Sequence, residues 1–232
     1  MSTNVTYRRV LVLLGVAAVA WPAAARSQAA SASPEELASA VADAQKANLA
    51  ALAKFTWRVK SDLSVEGQPK ASSVSDMRFS PEGKLQVTQI SAESTEEDKG
   101  GVRGRRQEKK TEDLAEYLKQ VLDQSFKYIF MSKGTLVDVF DRGKVTDTEG
   151  GAQVVATGLL VEGDELSMSV DSASKLATKV SFKTSLGEDA IQGTVSLSKP
   201  EGGPSRPERL ELEIPSKQMK IQSQTSDWAE LK

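Results

Sequence analysis

Cysteine and histidine are both missing from this chain of 232 residues. Without cysteine there is no disulfide, no thiolate metal site, no cysteine nucleophile and no lipobox cysteine to acylate. Without histidine the commonest general base, transition-metal ligand and pH switch near neutrality are gone as well. No Ser-His or Cys-His pair can exist. Aromatic residues are sparse, at 5%, so a core or ligand pocket has to be built chiefly from Ala, Val, Leu and Met. An excess of charge of one sign is lacking too. The 30 Lys and Arg residues stand against 32 Asp and Glu, which leaves no electrostatic footprint for nucleic acid.

The chain opens like an export signal. Arg8 and Arg9 form a positive start, Val10–Ala20 is an apolar run too short to span a bilayer, and Ala23-Ala24-Ala25 offers a cleavage site with small residues. The organisation expected is a signal peptide over 1–25, a linker over 26–33 and one domain over 34–232. The mature protein is expected in the periplasm or secreted. A cysteine-free exported protein of this kind relies on its core alone.

The clearest pattern lies in residues 165–226. Apolar residues alternate there with Ser, Lys, Glu, Thr and Gln: Leu166, Met168, Val170; Val180, Phe182; Val195, Leu197; Leu210, Leu212, Ile214. A period of two makes these strands of a sheet with one apolar and one polar face. Earlier in the chain, Ser33-Pro34-Glu35-Glu36 starts a helix that runs to about Lys54, with a stripe of Leu37, Val41, Ala44, Leu52 and Phe55 interrupted at Asn48. This helix either packs on the sheet or lies across it as a movable lid. Three strands follow as a meander, with turns at Gly67-Gln68-Pro69 and Pro81-Glu82-Gly83-Lys84. Residues 92–110 carry many charges and almost no apolar side chain, and read as a mobile loop. Arg103, Arg105, Arg106, Lys109 and Lys110 make its second half basic, a surface for transient contact with an envelope membrane or a protein partner. A second helix is expected from Thr111 to about Phe130. Residues 135–142 read as a strand, and 153–161, apolar on both faces, as a central one. The final strand spans 218–226, with Trp228 pinning the end of the chain to the sheet.

No constellation in the sequence carries catalysis. Glu211 and Glu213 fall on the polar side of an alternating strand; Asp138, Asp141 and Asp147 lack the spacing of a calcium loop. Gly100-Gly101 and Gly150-Gly151 lack the context of a phosphate loop. Neither a catalytic residue nor a cofactor or metal is assigned.

A leader, a helix, a meander, a charged segment, a second helix and a long antiparallel run resemble the layout of the LolA/LolB-like half-barrel family, over residues 34–228. The likeness is one of element order; the family's glycine-centred repeat has only a faint counterpart in Asp141-Arg142-Gly143-Lys144. The resemblance implies an α+β fold: one large, curved antiparallel sheet with two helices on its concave side. It also implies a carrier or chaperone that holds a lipid or lipidated protein in an apolar cavity without covalent chemistry. On this reading Leu52, Phe55, Trp57, Leu118, Leu122, Phe126, Phe182 and Leu212 face the cavity, and a hydrophobic or amphiphilic ligand displaces a helix. The alternatives are an interaction module that uses the 92–110 loop or the polar sheet face, and an enzyme of unidentified type.

Overall fold

The computed structural model describes residues 33–80, 83–94 and 102–231; side chains are described throughout these except at 94, 102–108, 110 and 111. The expected leader and most of the linker lie outside this range.

Helix α1 spans Pro34–Leu52. The Ser33 hydroxyl accepts from the Glu36 N–H while the Glu36 carboxylate accepts from the Ser33 N–H, a reciprocal cap with Pro34 at the first helical position. Strands β1 (Phe55–Val65) and β2 (Gln68–Phe79) follow, joined by Glu66-Gly67. Both turn residues have positive φ, as a two-residue hairpin requires. Strand β3 (Leu85–Ser94) completes the meander.

Two helices come next. Helix α2 spans Val102–Ile129, so it begins nine residues before the expected Thr111. The 92–110 segment is therefore not one loop: its start belongs to β3 and its basic half forms the first turns of α2. Arg, Lys, Gln and Glu are good helix formers, and an exposed helix can extend without apolar residues. Helix α3 (Lys133–Arg142) replaces the strand expected over 135–142. Its apolar residues fit either period, but Ser132 caps the Thr135 N–H, and Leu136, Val139 and Phe140 fall on one helical face and are buried. The described residues thus form three α-helices where two were expected.

The remainder is a meander: β4 (Lys144–Thr148), β5 (Gly151–Thr157), β6 (Glu165–Asp171), β7 (Ala177–Leu186), β8 (Asp189–Ser198), β9 (Arg206–Ile214), a short 3-10 turn at Pro215–Lys217, and β10 (Met219–Glu230). The expected central strand over 153–161 is shorter and lies one place from the sheet edge. Ala152, Val154 and Ala156 are buried on one face; Val155 is exposed on the other.

All ten strands form one antiparallel sheet in the order β3-β2-β1-β10-β9-β8-β7-β6-β5-β4. It is not closed. Its single departure from sequence order is the seam where β1 pairs with β10, in register from Phe55–Glu230 to Val65–Met219. The apolar residues of β5 to β10 point to one face, where α2 meets β7 and β8 and α3 meets β5 and α1. This is the open antiparallel α+β half-barrel that the resemblance implies, and the alternation of residues 165–226 predicts its strands.

The interior under α2 and α3 is close-packed. Val121, Tyr128, Val139, Val154, Ile191, Val195, Leu212 and Ile214 have no measurable exposure. Tyr128 on α2 stacks on Phe182 of β7 at 4.7 Å and 9°. Phe182 in turn lies across Gly193 of β8, where any Cβ would collide with the ring. A buried polar chain runs beside this stack. The Tyr128 hydroxyl donates to Asp164 (2.7 Å), the Thr184 hydroxyl lies 2.9 Å from the Tyr128 oxygen, and Gln124 donates to Thr184 (3.3 Å).

Candidate functional site

The structure holds a second, smaller core toward the β1–β3 end of the sheet. It consists of Leu52, Trp57, Val59, Met77 and Phe79, with Leu49, Ala53, Leu85, Phe126, Phe130 and Trp228 packed against it. This is where the chain spends five of its twelve Phe, Trp and Tyr residues. The Arg206 guanidinium sits 4.6 Å over the Trp228 ring, Trp228 stacks on Trp57 (4.7 Å, 12°), Trp57 meets Phe79 (5.8 Å), and Phe79 meets Phe130 edge-on (5.2 Å). The chain of rings ends at Phe126, 6.0 Å from Phe130.

Each element delivers its ring for a local reason. Trp57 lies on the buried side of β1, two residues before Val59. Phe79 ends β2 on the same side as Met77, the residue opposite Trp57. Phe126 and Phe130 are four apart at the end of α2 and share a face. Trp228 was expected beyond the last strand; β10 instead continues to Glu230, past a local kink at Asp227 (φ 49°), and this turns Trp228 onto Trp57.

A cleft of about 630 Å³ opens above this aromatic floor. Leu49 and Ala50 of α1 form one wall with Ala53 just past its end, Phe79 and Phe130 the base, and Leu231 the far side. Arg78, Ser80, Gly83 and Gln86 make a polar rim on the β2–β3 hairpin. The volume falls within the range of about 300–1,000 Å³ usual for small-ligand sites, and an apolar wall with a few polar groups is their usual lining. Arg78 donates through Nε to the Gln86 side-chain oxygen at 3.0 Å. Among the described residues no carboxylate pairs with it, so it is the cationic group of the rim.

No family model matches the chain, and no curated protein does. Among solved structures it is similar to a DUF1329 family protein from Desulfovibrio piger, at 9% identity over 85% of this chain and 93% of that one, with a TM-score of 0.41. It is also similar to a LolA superfamily protein from Nitrosomonas europaea, at 11% identity over 84% and 93% of the two chains, with a TM-score of 0.37. A third similar structure is a domain from Vibrio parahaemolyticus named for outer membrane lipoprotein sorting, at 11% identity over 82% and 90%, with a TM-score of 0.38.

The eight residues expected to face a cavity are divided between the two cores. Leu52, Trp57 and Phe126 belong to the aromatic cluster directly beneath the cleft. Phe182 and Leu212 are buried in the main core, and Leu118 and Leu122 pack against it half-buried. Phe55, half-buried, is the first residue of β1 rather than the last of the α1 stripe. None of the eight lines the cleft wall itself. The residues that do are Leu49, Ala50 and Ala53, all within one turn of Leu52, together with Phe79 and Phe130. An apolar stripe in the sequence marks what is buried; it does not separate a filled core from the rim of an opening.

The interruption of the α1 stripe at Asn48 has a specific cause. Asn48 is buried, its Nδ2 donates to the Ser205 carbonyl (2.8 Å) and its Oδ1 accepts from the Ser205 N–H (2.7 Å). This two-point bond fastens α1 to the β8–β9 loop, with Lys133 and Asp43 adding an exposed ion pair to α3. The C-terminal turn of α1 beyond Asn48 is the cleft wall.

A second concavity, of about 350 Å³, lies on the polar side of the sheet among Glu165, Ser181, Lys183, Gln192, Thr194, Glu211 and Glu213. Its charges are already engaged: Lys183 pairs with Glu165 at 2.9 Å, Arg209 with Glu211 at 2.7 Å, and Lys220 with Glu213 at 3.1 Å. Of the basic residues expected to form a contact surface, Lys109 is exposed on α2; the side chains of Arg103, Arg105, Arg106 and Lys110 lie outside the described residues. Among the described residues no group of acids could hold a metal ion, and no helix is long and apolar enough to cross a membrane.

Proposed function

We propose that this protein is a carrier in the bacterial envelope that binds the acyl chain of an amphiphile, a lipid or lipidated protein, in the cleft over the aromatic cluster. The cleft carries the proposal: about 630 Å³ with an apolar side formed by Leu49, Ala53, Phe79, Phe130 and Leu231 and a polar rim that includes one cationic side chain, Arg78. An acyl chain gains about 0.8 kcal/mol per methylene buried there, and Arg78 faces an anionic headgroup. Binding needs no covalent step. Leu52, Trp57 and Phe126 act as the floor, and further opening comes from the α1 turn beyond the Asn48 anchor. The leader-like sequence of the first 25 residues supports a carrier outside the cytoplasm, in the periplasm or secreted.

The test is titration of purified protein with fatty acids of increasing length, alongside native mass spectrometry of protein recovered from the envelope. Affinity should rise about fourfold per added methylene until the cleft is full. Ala50 is exposed and lines the wall, so Ala50→Trp fills the cleft without removing a core contact. It should weaken binding at least about tenfold while leaving the melting temperature unchanged. Affinity independent of chain length, or unchanged in Ala50→Trp, rejects the proposal.

A further inference from the structure

The two edges of the sheet are unlike each other. Edge strand β4 is five residues long and carries Lys144 and Asp147, the usual protection of an edge against pairing. Edge strand β3 is ten residues long, and Leu85–Ala92 (Leu, Gln, Val, Thr, Gln, Ile, Ser, Ala) holds no charge and no proline, in a chain that is 27% charged. Among the described residues β3 has β2 on one side and nothing on the other. Val87 is 52% and Ile90 51% exposed. The charges reappear only at the flanks, Lys84 before the strand and Glu93 near its end, both exposed and neither ion-paired among the described residues.

We propose that β3 pairs antiparallel with the β3 of a second copy of this chain, extending the sheet across a two-fold axis through Thr88. The register follows from the bulge in β3. Ser75 of β2 faces Gln89 and Val74 faces Ser91, so Ile90 is an extra residue. Leu85, Val87, Gln89 and Ala92 therefore share the face of Phe79, Met77, Ser75 and Ser73, and Gln86, Thr88, Ser91 and Glu93 share the other. Opposed residues of an antiparallel pair must lie on the same face. With Thr88 opposite the partner's Thr88, Val87 meets the bulge formed by the partner's Gln89 and Ile90. Gln86 then meets the partner's Ser91, and Leu85 the partner's Ala92. One step further, Lys84 meets the partner's Glu93, and symmetry repeats the pair at the other end. Without the bulge Lys84 would oppose alanine. The two copies thus bring their exposed apolar residues together in the centre and opposite charges together at both ends, as an isologous interface requires.

The absence of cysteine makes the test specific. Residues opposed in an antiparallel pair have Cα atoms about 4.5–5.5 Å apart, within reach of a disulfide. Protein purified from the full chain carrying Thr88→Cys should form a covalent dimer on mild oxidation, and the same protein with Thr146→Cys on β4 should not. In sedimentation equilibrium the wild-type protein should be a dimer. Lys84→Glu and Glu93→Lys should each weaken the dimer about tenfold, and the double variant should restore it, because each reversal sets like charges opposite one another at both ends. A protein that stays monomeric at 100-fold above the concentration at which it is cross-linked, a Thr88→Cys protein that does not cross-link, or a dimer indifferent to both single reversals overturns the proposal.

Discussion

Asp164 shows how a single residue holds two elements together. It is buried at the end of the loop between β5 and β6, where it accepts from the N–H groups of Leu159 (2.7 Å), Leu160 (2.9 Å) and Val161 (3.2 Å) as well as from Tyr128. Burial alone would raise its pKa. The Tyr128 hydroxyl and the three backbone donors outweigh it and hold the carboxyl below its ordinary value. A carboxylate with a depressed folded pKa stabilises the fold above its unfolded pKa, about 4, and that stability is lost as pH falls through the folded value. The melting temperature should therefore drop below about pH 4, and Asp164→Asn should flatten this acid limb while lowering stability at neutral pH. An acid limb identical in the variant would show that other carboxylates govern it. Gly193 makes a purely steric counterpart. Gly193→Ala drives a methyl into the Phe182 ring and so displaces the Tyr128 stack; overpacking of this kind costs about 1–3 kcal/mol, read as a lower denaturation midpoint. Neither residue was legible in the sequence. A lone Asp after glycine reads as a turn, and a glycine inside an alternating strand says only that something comes close; which ring does so is a matter of register.

At the scale of elements, period and capping decided what could be read. The strands of residues 165–226 alternate cleanly because one side faces the helices and the other faces water, so their existence and their buried residues follow from the pattern. The segment 135–142 failed because four apolar residues in eight satisfy both periods; Ser132 outside the segment, by capping, settles it as helix. The start of α2 failed because charge density argues against burial, which is a different property from helicity. The cleft was legible only indirectly: Leu52 and Trp57 were found as apolar, but the wall is made of Leu49, Ala50 and Ala53, whose alanines carry no signal beyond small size. Helix α1 also carries a prediction. Asn48 is its polar anchor, bonded at both amide atoms to Ser205. Asn48→Leu keeps the size but leaves the buried Ser205 N–H and C=O without partners, at a cost of about 1–3 kcal/mol for each such group. Hydrogen exchange should quicken in residues 45–53 ahead of the sheet, and acyl-chain affinity should change with it because this turn is the cleft wall. Exchange that quickens uniformly would mean that α1 has no separate opening.

For the whole molecule the question is whether two cores make two cooperative units. The main core and the aromatic cluster share Phe126 and Phe130 at their boundary, and the sheet passes beneath both without interruption. The strands that carry the cluster, β1 and β2, would be a marginal two-stranded hairpin on their own. They are held because β1 is zipped to β10 along its whole length, and β10 to β9 from Met219–Ile214 to Gln224–Arg209. The C-terminal strand thus closes the chain on its N-terminal hairpin, and neither part keeps its neighbour if the other melts. The protein supplies its own reporters. Trp57 and Trp228 stack on each other inside the aromatic cluster, so in a chain carrying Trp21→Phe the tryptophan fluorescence reads this end of the molecule alone, while far-ultraviolet circular dichroism reads the whole sheet. Denaturation curves from the two probes should coincide, the signature of one cooperative transition. Trp228→Ala removes the stack on Trp57 and the Arg206 contact, and should lower the single midpoint for both probes, followed in that variant through Trp57. A fluorescence transition that precedes the loss of circular dichroism would show the β1–β3 end opening by itself, and with it the cleft.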